Sequence, residues 1–158
     1  MIYIFDTNSF RELEHFYPEI FVSVWDELDK LAEKGIFLST REVWREMERG
    51  DLSPHLEQWL KEKGINKIFT TPSPEETQFI TTIFSVKHFR ALIGEKQLLR
   101  GTPVADPFVI ACAKIKNGTV VTEEKYKPNA AKIPNVCKHF DIPCINLEQL
   151  MQQQGWKF

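Results

Sequence analysis

The chain has 158 residues, of which 42% are hydrophobic and 27% charged, and this fits a single globular domain over residues 1–158. A formal net charge of -2 excludes a protein that attracts nucleic acid through an overall basic field, so RNA contacts must come from local patches or a bound cation. The three cysteines form no CxxC pair, and we find neither a signal-peptide pattern nor an apolar run of bilayer length. These features predict a cytoplasmic protein with reduced thiols and no membrane contact.

In the first half of the chain, short apolar runs predict buried strands and apolar residues at helical spacing predict helices. Ser39-x-x-Glu42 matches a capping box, which predicts a helix beginning at Ser39. In chain order the predicted elements are a strand at 2–5, a helix at 18–34, a strand at 36–38, helices at 39–48 and 53–63, a short strand at 67–70 and a long helix at 74–93.

The second half continues the alternation of strands and helices. Its predicted elements are a polar connection at 98–103, a helix at 107–116, a strand at 119–122, a charged loop at 123–133, a helix at 134–140, a strand at 144–145 and a helix at 147–153. Short buried strands alternating with helices predict an α/β fold whose parallel sheet is covered on both faces. Ligands of such sheets bind at the carboxyl ends of the strands.

Acidic residues stand where these predicted strands end or where a following helix begins. In a parallel sheet they would converge on one crevice, repel each other and attract a divalent cation such as Mg²⁺ or Mn²⁺. Such a cation can activate water for phosphodiester hydrolysis. The acids are Asp6, Glu42, Glu46, Asp106, Glu123 and Glu124.

Each acid also has a purely structural interpretation. Asp6 could cap the turn after the first strand, and Asp106 precedes Pro107 as a helix N-cap would. The capping box gives Glu42 a structural role, which favours Glu46 as the ligand one turn later. Glu123 and Glu124 could belong to a solvated loop. The four histidines are scattered without ligand spacing, so a zinc site is not predicted.

The ordered set of motifs resembles the PIN-domain ribonucleases, and most closely their VapC-type toxin branch. The matching stretches are IFDTNSF, LSTREVWREMERG, VADPFVIACAKIKNGTVVTEEK and IPNVCKHFDIPCINLEQLM. The resemblance spans nearly the whole chain, within a subgroup of uncharacterised PIN-like proteins. It implies a three-layer α/β/α fold with a central, mostly parallel sheet of four to five short strands.

The resemblance also implies a metal-dependent endoribonuclease and assigns roles to individual residues. The Mg²⁺ or Mn²⁺ ligands and catalytic residues would be Asp6, Glu46, Asp106 and Glu124, with Glu123 as the alternative to Glu124 because the family usually has a single aspartate there. The supporting residues around them would be Thr7, Asn8, Thr122 and Glu42. The candidates for RNA phosphate contacts are Arg41, Arg45, Lys125 and Lys127.

The resemblance further implies the toxin of a type II toxin–antitoxin pair, with a small antitoxin protein as partner and a homodimer as the assembly. Two alternatives stay open, a catalytically inactive PIN-fold module that binds RNA or protein, and an RNA-processing nuclease without an antitoxin. A haloacid-dehalogenase phosphatase is disfavoured because Asn8 stands where that family needs a second aspartate.

Overall fold

A computed structural model describes residues 1–92 and 104–158. Within this part of the chain the strands are β1 Tyr3–Phe5, β2 Phe37–Thr40, β3 Phe69–Thr70, β4 Thr119–Val121 and β5 Cys144–Ile145. The α-helices are α1 Thr7–Leu13, α2 Val22–Glu33, α3 Arg41–Arg49, α4 Pro54–Lys63, α5 Ile65–Ile68, α6 Pro74–Ser85, α7 Asp106–Lys116, α8 Ile133–His139 and α9 Leu147–Gln153. A 3₁₀ helix follows α6 at Lys87–Leu92.

The five strands form one parallel sheet in the order β3-β2-β1-β4-β5, with β1 at its centre. Tyr3 pairs with Phe37 on one side and with Thr119 on the other. Helices flank this sheet, which confirms the predicted three-layer α/β/α architecture, and every strand pair is parallel. The carboxyl ends of β1, β2 and β4 therefore meet at one edge.

Burial of apolar side chains on both sides of the central strand holds this arrangement together. All three residues of β1 are at most 1% exposed, as expected for a parallel strand covered on both faces. The Phe5 ring packs 4.2 Å from that of Phe37 and 5.5 Å from that of Phe10. This aromatic cluster fixes α1 against the strand from which it emerges.

The approach of β4 to β1 depends on a residue without a side chain. A Cβ added at Gly118 would lie 3.0 Å from the Ile2 carbonyl oxygen and 3.4 Å from Ile4 Cγ1. The next residue, Thr119, donates its backbone N–H to the same Ile2 oxygen at 2.8 Å. Glycine at this position therefore allows the two central strands to pair.

Two predictions about the second strand and its following helix were wrong. Ser39 belongs to β2, and its hydroxyl donates to the Phe5 carbonyl oxygen at 2.6 Å instead of capping a helix. Helix α3 begins at Arg41, with Thr40 as an N-cap that makes no side-chain capping bond. The capping box fails because the serine hydroxyl serves the neighbouring strand.

The strand predicted at 67–70 and the helix predicted at 74–93 were only partly right. Residues 65–68 form the short helix α5, and only Phe69–Thr70 joins the sheet. Helix α6 ends at Ser85, and the chain continues as the 3₁₀ helix. Ile93 and the connection predicted at 98–103 lie outside the described residues.

Two further features concern the cysteines and the lengths of the helices. All three cysteines are free thiols, and Cys112 and Cys137 are buried. Within residues 1–92 and 104–158, every helix falls short of the length and hydrophobicity needed to cross a membrane.

Candidate functional site

Asp6 stands at the junction between β1 and α1 and is 1% exposed. Its Oδ1 accepts hydrogen bonds from the backbone N–H of Ser9 at 2.8 Å and from the Ser9 hydroxyl at 2.9 Å, so it caps α1. The Thr122 hydroxyl, at the end of β4, donates to Asp6 Oδ2. Asp6 is therefore both a helix cap and a carboxylate at the carboxyl edge of the sheet.

Burial is the main cause that raises the pKa of Asp6 to about 6 from its usual 3.8. The hydrogen bonds from Thr122 and Ser9 oppose this shift, and the charge of Glu124 adds to it. A carboxylate buried with this support is held in one orientation, as a metal ligand requires.

Glu46 lies on α3 and joins two other parts of the site. Its Oε2 accepts a hydrogen bond from the Thr7 hydroxyl at 2.6 Å, and its Oε1 accepts one from the Ala105 backbone N–H at 3.0 Å. Ala105 immediately precedes Asp106, so Glu46 holds the beginning of α7 against the beginning of α1. Thr7, predicted as a supporting residue, thus contacts Glu46, and its role at a metal site stays a prediction.

Asp106 is the first residue of α7, and Ala105 is the N-cap, without a side-chain capping bond. The interpretation of Asp106 as an N-cap is thus wrong. Burial, followed by the charges of Glu124, Asp6 and Glu46, raises the pKa of Asp106 to about 8. Four carboxylates that the sequence places far apart therefore act on one another in the folded chain.

The structure separates the two adjacent glutamates after β4. Glu124 Oε2 accepts a hydrogen bond from the Ile133 backbone N–H at 3.0 Å, and its charge raises the pKa of both Asp6 and Asp106. Glu123 Oε1 instead accepts from the Leu147 backbone N–H at 2.9 Å, at the start of α9. Glu124 is consequently the member of the acidic cluster, which we define as Asp6, Glu46, Asp106 and Glu124.

Thr122 connects two members of the acidic cluster through a single hydroxyl group. The hydroxyl donates to Asp6 Oδ2 and accepts the backbone N–H of Glu124 at 3.1 Å. Since Thr122 is 1% exposed, this arrangement is shielded from competing water. The support of a metal ligand by Thr122 stays a prediction.

Among the other predicted supports, Glu42 and Asn8 lie differently. Glu42 is 2% exposed, and its Oε1 accepts hydrogen bonds from the Arg41 guanidinium at 2.9 and 3.2 Å. Its Oε2 has no hydrogen-bond partner within residues 1–92 and 104–158. Asn8 is exposed on α1, and no hydrogen bond links it to the acidic cluster in the described chain. The contact to Asp6 comes instead from Ser9.

Three of the four basic residues predicted to contact phosphate are exposed. Arg45, Lys125 and Lys127 have exposed side chains, whereas Arg41 is engaged with Glu42 at 2.9 Å. Lys125 directly follows Glu124, so at least one of these cations stands beside the acidic cluster in the chain.

A family model described as Domain of unknown function (DUF4411) matches residues 3–158. The chain belongs to the DUF4411 family. No curated protein matches the chain significantly. The family description names no activity.

The carboxylates of the acidic cluster suit a hard divalent cation, because Mg²⁺ and Mn²⁺ prefer oxygen ligands. Across the described ranges 1–92 and 104–158, no three His, Cys, Asp or Glu side chains are arranged to hold one metal ion together. In this arrangement the oxygens of Asp6 and Glu46 accept hydrogen bonds from Ser9, Thr122, Thr7 and Ala105. The donor chemistry of the four carboxylates fits a hard cation.

Sequence reasoning missed two donors of the site, Ser9 and the Ala105 backbone N–H. The contact of Ser9 could have been predicted, because in an Asp-x-x-Ser sequence the serine backbone N–H can donate to an aspartate at the N-cap. The Ala105 contact with Glu46 joins residues 59 positions apart, and no local pattern predicts it.

Proposed function

We propose that this DUF4411 protein is a metal-dependent ribonuclease that hydrolyses RNA phosphodiester bonds at the acidic cluster. The observation that carries the proposal is the convergence of four carboxylates at the carboxyl edge of the sheet, where burial and the charges of Glu124, Asp6 and Glu46 raise the pKa of Asp106 to about 8. Such mutual repulsion disfavours four ionised groups unless a cation joins them. Its position at the carboxyl edge of a parallel sheet is where ligands of α/β proteins bind.

The residues of the chain have distinct tasks in this proposal. Asp6, held by Ser9 and Thr122, is the fixed carboxylate. Asp106 is the carboxylate that exchanges its proton for a cation. Glu46 and Glu124 complete the oxygen ligands from the two flanking elements. A bound Mg²⁺ or Mn²⁺ would lower the pKa of a water molecule and offset charge on the phosphoryl group.

The toxin role, the antitoxin partner and the homodimer rest on the PIN-domain resemblance alone, and we keep them as predictions of that resemblance. The inactive binding module is the alternative from a different class. In an inactive binding module the acidic cluster would have only a structural role. Asp6 fits that role because it caps α1, but Asp106 does not cap a helix.

The nuclease proposal is tested by incubating purified protein with labelled structured RNA in Mg²⁺, in Mn²⁺ and in EDTA. Cleavage should require the metal and should fall by at least about 100-fold in Asp106→Asn and Asp6→Asn. Asp26→Asn, at an exposed position on α2, is the matched control and should cut like the unmodified protein. Cleavage that survives in both cluster variants would exclude the acidic cluster as the active site.

A further inference from the structure

A second cleft lies beside the loop that carries Glu124. It is a cavity of about 630 Å³ between the 3₁₀ helix, the loop after β4 and α8. We call it the Tyr126 cavity. Its walls include Phe89, Tyr126, Asn129, Asn135, Lys138 and His139. This combination of aromatic rings, amides and a cation differs from the carboxylates of the neighbouring cluster.

The aromatic groups of the Tyr126 cavity are accessible to a ligand. Tyr126 is 49% exposed although it is one of the large hydrophobic side chains, and Lys138 Nζ lies 4.7 Å from its ring centroid. His139 is exposed and is braced edge-on against Phe89, with ring centroids 5.1 Å apart. Exposed rings of this kind are the surfaces on which proteins stack unpaired nucleobases.

Lys138 is the charged residue among the cavity walls, and the segments that supply these walls contain further cations, which favours an anionic ligand. The segment 125–140 contains Lys125, Lys127, Lys132 and Lys138 and has no aspartate or glutamate. The segment 86–92 on the opposite wall contains Lys87 and Arg90 and again has no acid. A protein with a net charge of -2 thus has a local basic surface where phosphates can be held.

Another aromatic cavity of the molecule differs from the Tyr126 cavity in the charge of its walls. It measures about 590 Å³ and is also aromatic, with Tyr17, Trp25 and Trp59 in its walls. Its remaining wall residues include the carboxylates of Glu19 and Glu62 and no lysine or arginine. Charge therefore separates the two aromatic cavities, and only the Tyr126 cavity suits a nucleic acid.

Hydrogen bonds connect the Tyr126 cavity to the acidic cluster. Tyr126 follows Glu124 by two residues, so their Cα atoms are at most about 7 Å apart. The loop is anchored by Glu124 Oε2, which accepts from the Ile133 backbone N–H at 3.0 Å, and by Asn135 Nδ2, which donates to the Lys127 carbonyl oxygen at 2.7 Å. The loop that contributes a carboxylate to the cluster therefore also positions the ring of the cavity.

Asn135 adds a group that a base could satisfy. The residue is 8% exposed, and its Oδ1 is buried without a hydrogen-bond partner within residues 1–92 and 104–158. A buried acceptor left unpaired is costly, and a base donor in the cavity would satisfy this oxygen once the Asn135 side chain turns toward it.

We propose that the Tyr126 cavity binds one unpaired base of a single-stranded RNA, stacked on Tyr126, with the backbone phosphates near Lys138. The inference rests on the proposed function in one point. If an RNA phosphate lies at the acidic cluster, the stacked base belongs to a nucleotide close to that phosphate. It names the substrate of that site as single-stranded RNA.

Binding can be measured without cleavage, which separates this inference from the nuclease proposal. Fluorescence anisotropy in EDTA would give the Kd of labelled five-nucleotide RNAs for the unmodified protein and for Tyr126→Ala, Tyr126→Phe and Tyr17→Ala. Loss of one stacking ring should weaken binding about 5- to 100-fold in Tyr126→Ala. Tyr126→Phe keeps the ring and should retain the affinity. Tyr17→Ala removes an exposed tyrosine from the acid-lined cavity and should also bind normally.

The outcomes distinguish the two proposals. If Tyr126→Ala binds as tightly as the unmodified protein, the base site is wrong, whether or not the protein cuts RNA. Equal affinity for blunt double-stranded RNA would also overturn it, because a paired base cannot enter the cavity. If Tyr126 is needed for binding but Mg²⁺ and Mn²⁺ support no cleavage, the base site stands and the nuclease proposal fails.

Discussion

Asp106 differs from the other acids of the cluster in the bonds it makes. Asp6 and Glu46 accept hydrogen bonds on both carboxylate oxygens, and Glu124 accepts one from Ile133. No such bond to Asp106 is found in the described chain, while three charges surround it. Without a cation, a proton is what neutralises this carboxylate, and the consequences are measurable.

The metal-free protein should lose stability as Asp106 ionises. Its folded pKa of about 8 lies above the usual 3.8, so its neutral form is favoured by folding. That contribution is fully present below about pH 4 and is lost as the pH rises through about 8. As the pH rises from 5 to 8.5, the unfolding free energy of the unmodified protein should fall by about 2 to 4 kcal/mol relative to that of Asp106→Asn. One pKa unit corresponds to about 1.4 kcal/mol.

Urea unfolding in EDTA at several pH values measures this difference. Asp26→Asn should run parallel to the unmodified protein, since Asp26 is exposed on α2. Parallel curves for Asp106→Asn as well would mean that Asp106 ionises normally in the folded chain.

Thr122→Val should weaken cation binding without unfolding the protein. The substitution keeps the shape of the buried side chain but removes the hydroxyl that donates to Asp6 and accepts the Glu124 N–H. The pKa of Asp6 should rise further, because the Thr122 bond is what opposes the effect of burial most. We expect Mn²⁺ affinity to fall about 10- to 100-fold in calorimetric titration. Thr119→Val, in the strand that precedes Thr122, is the control, and an equal loss there would point to the strand and not to the Thr122 hydroxyl.

The sequence predicted the acids of the cluster but could not choose between neighbours. Asp6 and Asp106 follow from strand and helix boundaries, whereas Glu46 was preferred to Glu42 through a capping box that the structure does not contain. Glu124 and Glu123 are adjacent in one loop, and only their partners, Ile133 and Leu147, distinguish them. Those partners belong to elements that reach the loop through tertiary packing, so local pattern carries no information about them.

Among the secondary-structure elements, the pairing of β1 with β4 brings Asp6 and Thr122 together. Gly118→Ala should disturb it, because the new Cβ would sit 3.0 Å from the Ile2 carbonyl oxygen, which is backbone and cannot turn aside. We expect a loss of about 1–3 kcal/mol in unfolding free energy together with weaker Mn²⁺ binding.

Gly35→Ala is the matched control for this prediction. A Cβ at Gly35 meets nothing within 4 Å, but its φ of +72° makes any side chain strained. It should cost about 1 kcal/mol and leave Mn²⁺ binding unchanged. If both variants lose stability equally and neither affects Mn²⁺ affinity, the strand spacing does not control the cluster.

The element boundaries show what local patterns can and cannot predict. The alternation of strands and helices follows from hydrophobic spacing, and the parallel sheet follows from the alternation. The boundary of α3 does not, because the Ser39 hydroxyl binds the Phe5 oxygen of another strand. Similarly, Phe69–Thr70 is a strand only because β2 lies beside it.

For the whole molecule, cation binding should appear as added stability. At a Mn²⁺ concentration about 100 times its Kd the linkage amounts to about 2.7 kcal/mol, or roughly 5–10 °C in Tm for a chain of this size. The gain should be larger at pH 8 than at pH 6, because protons compete for Asp106 at the lower pH. Differential scanning fluorimetry with and without Mn²⁺ measures it, and Asp106→Asn should show little gain. A similar gain in that variant would place the binding site elsewhere.

The central position of β1 also determines when the site can exist during synthesis. β1, β2 and β3 lie within the first 70 residues, whereas the strand on the other side of β1 begins at Thr119. A ribosome must therefore extend the chain beyond Thr119 before β4 can cover the second edge of β1. Until then the backbone N–H and C=O groups of that edge are unpaired in the nascent protein. Asp106 and Glu124 arrive in the same late stretch. A chain that ends between Glu46 and Asp106 has only two of the four carboxylates, and under the nuclease proposal it would not cleave RNA.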